Sequence, residues 1–173
     1  VIDINGVITD FADGGPLNLP VESMVDSAVG RLRAARQDSN VKAVILNVSS
    51  PGGGVDASEQ IMREVQKGRQ AGKIVLVQMN GVATSGGYYI ATPANKIYAH
   101  PTTITGSIGV LMQLPVIDKA LEKLHINYVT IKAGNQKDWG SPFDEFTQEE
   151  RDYYQKLLNG FHARFKNLVV EGR

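Results

Sequence analysis

Cysteine is absent from the 173 residues. That removes disulfides, thiolate metal sites and a cysteine nucleophile, and it leaves the compartment open. A surplus of either charge is missing too: eighteen basic residues stand against eighteen acidic ones, so nothing electrostatic argues for a nucleic-acid partner. No apolar run approaches the ~18 residues of a membrane helix, and no basic start leads into a long apolar core in the manner of a secretory signal. Histidine is scarce, at three residues, which narrows the choice of general base. The remaining composition is that of a globular protein, and the length fits one domain, residues 1–173, with a sizeable core. The chain opens directly on a strand-like run and closes on a helix-like one, which reads as a piece of something longer.

VIDINGVI is a short β-rich run ending near Gly6, and residues 10–20, DFADGGPLNLP, are turn chemistry. Val21, Val25, Ala28, Val29 and Leu32 then fall at helical spacing. VKAVILNVS is a continuous apolar strand of the kind buried on both faces of a parallel sheet. After SSPGGGVDAS, where Asp56 or Ser58 can cap, a helix is expected over SEQIMREVQKGRQ. KIVLVQMN reads as a strand, GGYYIATPA as a short helix, KIYAHP as a strand and TTITGSIGVL as a strand or loop. PVIDKALEKLHI reads as a helix from Pro115, and NYVTIKAG as a strand. Thr147 and Glu150 form a capping-box pattern ahead of a long helix. Strands alternating with helices at this spacing predict an α/β fold with a largely parallel βαβ sheet and flanking helices.

Three loops rich in small residues, SSPGGG, GVATSGG and TGSIG, come after strands. Ligands of such sheets bind beyond the carboxyl ends of the strands, and the first two loops each precede a helix, whose unpaired N–H groups favour negative charge. Converging donors of this kind suit an oxyanion hole; a tight turn packed on a helix would use the same glycines. Neither phosphate-loop pattern is met. Ser85 sits in a loose form of the G-x-S-x-G elbow, with Ala83 where the pattern has glycine. A serine nucleophile needs a base, and His100, His125 and His162 have no distinctive setting. The other option is a lysine, which must first lose much of its basicity. Moving such a group from ~10.4 to ~7.4 costs about 4 kcal/mol, which burial has to supply. Lys137, beside Trp139 in KDWGSPF, could be such a base or an ordinary solvated lysine.

SSPGGGVDAS, GVATSGGYYIATPANKIYAHPTTITGSIGV and KDWGSPF together resemble the signal peptide peptidase A family, the protease IV type of membrane-bound Ser/Lys protease, and the resemblance runs over essentially the whole chain. It implies a ClpP/crotonase-like fold, with Ser85 as nucleophile, Lys137 as general base and Ser107 orienting the lysine amine. Backbone N–H groups of Gly52 or Gly53 and of Gly86 would form the oxyanion hole. The cost of depressing its pKa calls for an enclosed Lys137, fully so once substrate or a neighbouring subunit covers it, with the Asp138 carboxylate turned away, and no cofactor or metal is expected. Its peptide substrates would be signal peptides or other hydrophobic segments. The protein would assemble as a homo-oligomer with active sites facing a shared cavity. A membrane anchor and a C-terminal segment would lie outside these residues, with the catalytic domain on the extracytoplasmic side. Tyr153, Tyr154, Leu157 and Phe161 are candidates for an interface or for packing within the domain. Two rivals share the fold: an acyl-CoA enzyme of crotonase type, which needs two backbone donors but not Ser85 with Lys137, and a non-catalytic scaffold of a membrane assembly.

Overall fold

The computed structural model describes residues 1–11 and 22–173. Most of the turn-rich run 10–20, and Val21, lie outside the described residues. In chain order the elements are β1 (Ile2–Asn5), α1 (Met24–Gln37), β2 (Ala43–Ser50), α2 (Val55–Gln70), β3 (Ile74–Thr84), α3 (Gly86–Ala91), β4 (Lys96–Ala99), β5 (Ile104–Gly106), α4 (Asp118–Lys123) and α5 (Gln148–Gly172). The chain divides into two compact units. The first holds the described residues up to Gly109 together with Ala163–Arg173, and the second is Val110–His162.

In the first unit the sheet order is β1-β2-β3-β4, with β5 also paired to β3, and every pairing is parallel. The expected α/β architecture with a parallel sheet is therefore present. Alternate residues Ile2, Ile4, Val44, Leu46, Val48, Val75, Val77 and Met79 are buried. They share one core with Val25, Ala28, Val29 and Leu32 of α1 and with Ala57, Ile61, Met62 and Val65 of α2. Each such Val, Leu, Ile or Met side chain gains roughly 1.5–3 kcal/mol from leaving water, and the alanines less. Helix α1 starts where Ser23 Oγ accepts from the Asp26 amide at 3.0 Å, an N-cap of the usual kind.

Four expectations are corrected. Strand β2 is buried on one face, not two: Ile45 is 40% exposed, and Asn47 faces the same way. Asn47 Nδ2 donates to Asp3 Oδ1 at 2.8 Å, and Asn80 Nδ2 donates to Asn47 Oδ1. This polar ladder suits a hydrated face; Ala43 and Ile45 merely made the run look continuously apolar. Helix α2 begins at Val55 with Gly54 as N-cap and no side-chain cap. Asp56 instead accepts from Gln60 one turn on at 2.9 Å, and Ser58 is buried inside the helix.

The third correction concerns the second unit, where NYVTIKAG forms no strand. Val129 and Ile131 are 78% and 96% exposed. A strand needs a neighbour for its N–H and C=O groups, and the described residues offer this one none. The helix expected from Pro115 is the shorter α4, which opens only at Asp118. The capping box is present as expected. The Thr147 amide donates to Glu150 Oε2 at 2.7 Å, and the Glu150 amide donates to Thr147 Oγ1 at 3.3 Å.

Candidate active site

The first unit builds a turn around Ser85 from backbone alone. Strand β3 pairs Val48 with Met79 and then Ser50 with Ala83, so its register slips between the two pairs, with Gly81 at φ +57°. Such bulges bend a strand and re-aim the residues at its end. Here that end leads into Ser85, at φ 50° and ψ −117°, a conformation that costs a non-glycine residue about 1–3 kcal/mol. It is held by its own amide, which donates to the Gly106 carbonyl at 2.8 Å, and by its carbonyl, which accepts from the Tyr89 amide at 2.8 Å. The Ser85 side chain is half-buried, and among the described residues its hydroxyl has no hydrogen-bond partner.

The PGGG loop approaches this turn as closely as atoms allow. A Cβ on Gly52, whose φ is +104°, would lie 2.8 Å from the Gly86 nitrogen and 3.1 Å from Ser85 Oγ. A Cβ on Gly86 would lie 2.4 Å from Ser58 Oγ and 3.2 Å from the Gly53 nitrogen. One on Gly53 would meet the Ile8 carbonyl oxygen at 2.0 Å. Only glycine fits these three places. The loop is tied down by Ile8, whose amide donates to the Gly52 carbonyl at 2.8 Å and whose carbonyl accepts from the Gly54 amide at 2.9 Å. Thr84 Oγ1 adds a bond to the Pro51 carbonyl at 3.0 Å.

These bonds separate the donors. The Gly52 amide donates to Ser50 Oγ at 3.1 Å. Among the described residues the Gly53 amide has no acceptor, and the Gly86 amide, first in α3, has none within its helix. Two N–H groups thus remain beside the Ser85 hydroxyl. Strand β5 brings in Ser107, because its pairing with β3 runs to Thr84 opposite Gly106. Ser107 comes next, at φ 52° with its side chain exposed. The structure therefore brings together Ser85, Ser107, Gly52, Gly53 and Gly86.

Lys137 lies in the second unit, in a run of turns where the Ser141 amide donates to the Asp138 carbonyl at 2.9 Å. Its side chain is exposed, so the enclosure expected of a lysine base is not found in this chain. The reason is local: Trp139 turns onto α5, edge-on to Tyr153 with ring centroids 5.2 Å apart, and its carbonyl accepts from Tyr154 Oη at 3.1 Å. Asp138 is drawn to Lys132, whose Nζ lies 2.7 and 2.6 Å from the two carboxylate oxygens. That hydrogen-bonded ammonium holds the Asp138 carboxyl below its ordinary range. Glu150 is 6% exposed. Burial works to raise its pKa, yet hydrogen bonds from Thr147 and from the Gly140 amide at 3.0 Å hold it below the ordinary range.

Sequence reading passed over a charged brace behind the turn. Glu59 of α2 accepts from Arg164 of α5, from Arg63 at 2.6 Å and from Tyr89 Oη at 2.5 Å. Burial opposes ionisation, but these donors, Arg164 foremost, bring the Glu59 carboxyl to about 2. Burial and the adjoining carboxylate push the Tyr89 hydroxyl up. Spacing gave no sign of it, since Glu59 and Arg164 are distant in sequence. Among the histidines, His100 Nδ1 pairs with Thr102 Oγ1 in its own turn at 2.9 Å. A cavity of about 270 Å³ lined by Gln66, Arg69, Thr92, Leu168 and Glu171 involves none of the residues around Ser85.

The profile of peptidase family S49 matches residues 67–173, a stretch that includes Ser85, Ser107 and Lys137. Protease 4 of Salmonella typhi is 37% identical over 100% of this chain and 27% of its own length. An Enterococcus faecium protein named as a signal peptide peptidase is 36% identical over 99% of this chain and 50% of its own. The chain thus spans half or less of these relatives. Among solved structures, a ClpP1 mutant of Listeria monocytogenes superposes with a TM-score of 0.57 at 17% identity, covering 99% of this chain and 70% of that one. The fold is ClpP-like, and the chain belongs to peptidase family S49.

Proposed function

We propose that the chain carries the catalytic residues of a serine endopeptidase, its two units serving one protease domain. The observation that carries the reading is the Ser85 turn: a half-buried hydroxyl on a strained strand-to-helix elbow, beside two N–H groups that nothing else uses. In this reading Ser85 is the nucleophile and neutral Lys137 the general base, with Ser107 orienting the lysine amine. The Ser85 hydroxyl gives its proton to the amine as it attacks a peptide carbonyl. The oxyanion is met by the Gly53 and Gly86 amides, Gly52 being engaged by Ser50. The protonated lysine then protonates the leaving amine, and water resolves the acyl-enzyme.

Signal peptides and other hydrophobic segments are the proposed substrates, in keeping with the name of the Enterococcus faecium relative. Homo-oligomeric assembly, attachment to a membrane through a segment outside these residues and an extracytoplasmic catalytic domain belong to the same proposal. Among the described residues no helix is long and apolar enough to cross a membrane. The test is hydrolysis of a fluorogenic peptide with an apolar P1 residue by the full-length protein, Ser85→Ala and Lys137→Ala, from pH 6 to 10. Near-complete loss in both variants, with a wild-type rate that rises along an acid limb, supports the dyad. Activity that survives Lys137→Ala puts the base elsewhere.

A further inference from the structure

We infer that Lys132 is a positioning residue for the proposed base: by pairing with Asp138 it neutralises the carboxylate next to Lys137 and keeps the Lys137 amine able to accept a proton. The inference rests on the reading of Lys137 as the general base. A carboxylate on the adjoining residue is the wrong neighbour for such a base, because it favours the protonated amine. Residues 137 and 138 are consecutive, their Cα atoms about 3.8 Å apart, so no rotamer takes the Asp138 charge out of electrostatic reach.

Lys132 Nζ meets both Asp138 oxygens, at 2.7 and 2.6 Å, and the Asn135 carbonyl at 3.2 Å. These three contacts match the three donors an ammonium has. The Lys132 side chain is 40% exposed, and exposed pairs contribute little to stability; their field on a neighbouring titrating group survives partial exposure. Among the described contacts of this loop, the other titratable groups come from α5. Glu150, held ionised by hydrogen bonds from Thr147 and Gly140, is a second carboxylate whose charge reaches Asp138, while Tyr153 and Tyr154 pack on Trp139. The Glu150 charge is the same in every variant below, so the shifts expected there are those of Lys132 and Asp138. Lys132 is the cation that answers Asp138.

Electrostatics of this kind makes the two partners act with opposite signs. Lys132→Met leaves Asp138 unpaired and should move the acid limb of kcat/KM up by about half to one pH unit. Asp138→Asn leaves Lys132 unpaired and should move the limb down by a similar amount. The double variant should return it to the wild-type position, and Lys132→Arg should leave it there. Both displacements should shrink between 0.05 and 1 M salt, as the screening length falls to ~3 Å.

The experiment is this set of profiles on the full-length protein with the fluorogenic apolar-P1 peptide, with Lys137→Ala alongside. If the pair merely braces the loop, both single variants depress the rate at every pH without moving the limb, and the inference is overturned. If Lys137→Ala is inactive and the limb ignores both substitutions, the inference falls while the base assignment stands. If Lys137→Ala stays active, the base assignment fails and takes the inference with it.

Discussion

The turn around Ser85 and the loop around Lys137 are built from different materials. At Ser85 the shape comes from backbone packed on backbone: Gly52, Gly53 and Gly86 leave no room for a Cβ, and the serine is held in a strained conformation by main-chain hydrogen bonds. At Lys137 it comes from ionised side chains: Lys132 on Asp138, and Glu150 on Gly140 and Thr147. The first arrangement rests on main-chain contacts, and the one carboxylate braced behind it, Glu59 on Tyr89 and Arg164, stays ionised down to about 2, so mild acid should leave it unchanged. The second is adjustable by charge. A nucleophile needs fixed donors and a base needs a tuned environment, so the division suits the proposed chemistry.

The largest effect should come from separating function from stability at Ser85. Ser85→Gly should lower kcat by more than about 10³-fold. It should also raise stability by about 1 kcal/mol, or Tm by about 2–4 °C, because glycine relieves the positive-φ strain. A fall in Tm would mean that the turn is not strained and that backbone packing does not hold it there. Next comes Gly53→Ala, whose methyl group would meet the Ile8 backbone at 2.0 Å. Overpacking against main chain that cannot rotate away should cost about 3 kcal/mol, or roughly 6–12 °C in Tm. Gly86→Ala should cost less, about 1–3 kcal/mol, because its nearest obstacle is the Ser58 hydroxyl at 2.4 Å. Adding Ser58→Gly should restore part of the lost Tm; no recovery would show that the Gly53 and Gly52 backbone is the true barrier.

The same contrast explains what could be read from the sequence. The Thr147–Glu150 capping box was legible because its chemistry is local, and so was α1, because period 3.6 survives on one face. The one-sided burial of β2 was not: Ala43 and Ile45 are apolar but face water, and a run of apolar letters cannot say which of them is covered. NYVTIKAG carries strand propensity yet lacks a neighbour among the described residues, and pairing is a tertiary fact. Ser85 was singled out from its small neighbours, but its strain and the split between the Gly52 and Gly53 amides needed coordinates. Lys137 was singled out by its place beside Trp139, but an ordinary solvated lysine stayed open until the resemblance assigned it the role of base. Lys132 left no signal at all, because the importance of its pairing depends on where Asp138 turns.

The smallest effect is the one that tests pH sensitivity directly. The Glu150 carboxyl is held below its ordinary value of 4.5 in the folded chain. A group depressed in this way contributes stability that is fully present above its unfolded pKa and is lost as pH falls through the folded one. Acidification below about 4.5 should therefore loosen the bonds from the Gly140 and Thr147 amides, seen as falling hydrogen-exchange protection at those two sites. The Ser85 amide, which donates to the Gly106 carbonyl, has no carboxylate to lose and should keep its protection over the same range. Glu150→Gln preserves a capping-box acceptor and should abolish the pH dependence at Gly140 and Thr147. Thr147→Ala removes the cap itself and should cost about 1 kcal/mol at neutral pH while leaving Ser85 protected. If protection at Ser85 and Gly140 instead declined together, the two regions would open as one cooperative unit, and the difference in how they are built would not carry over into how they respond to acid.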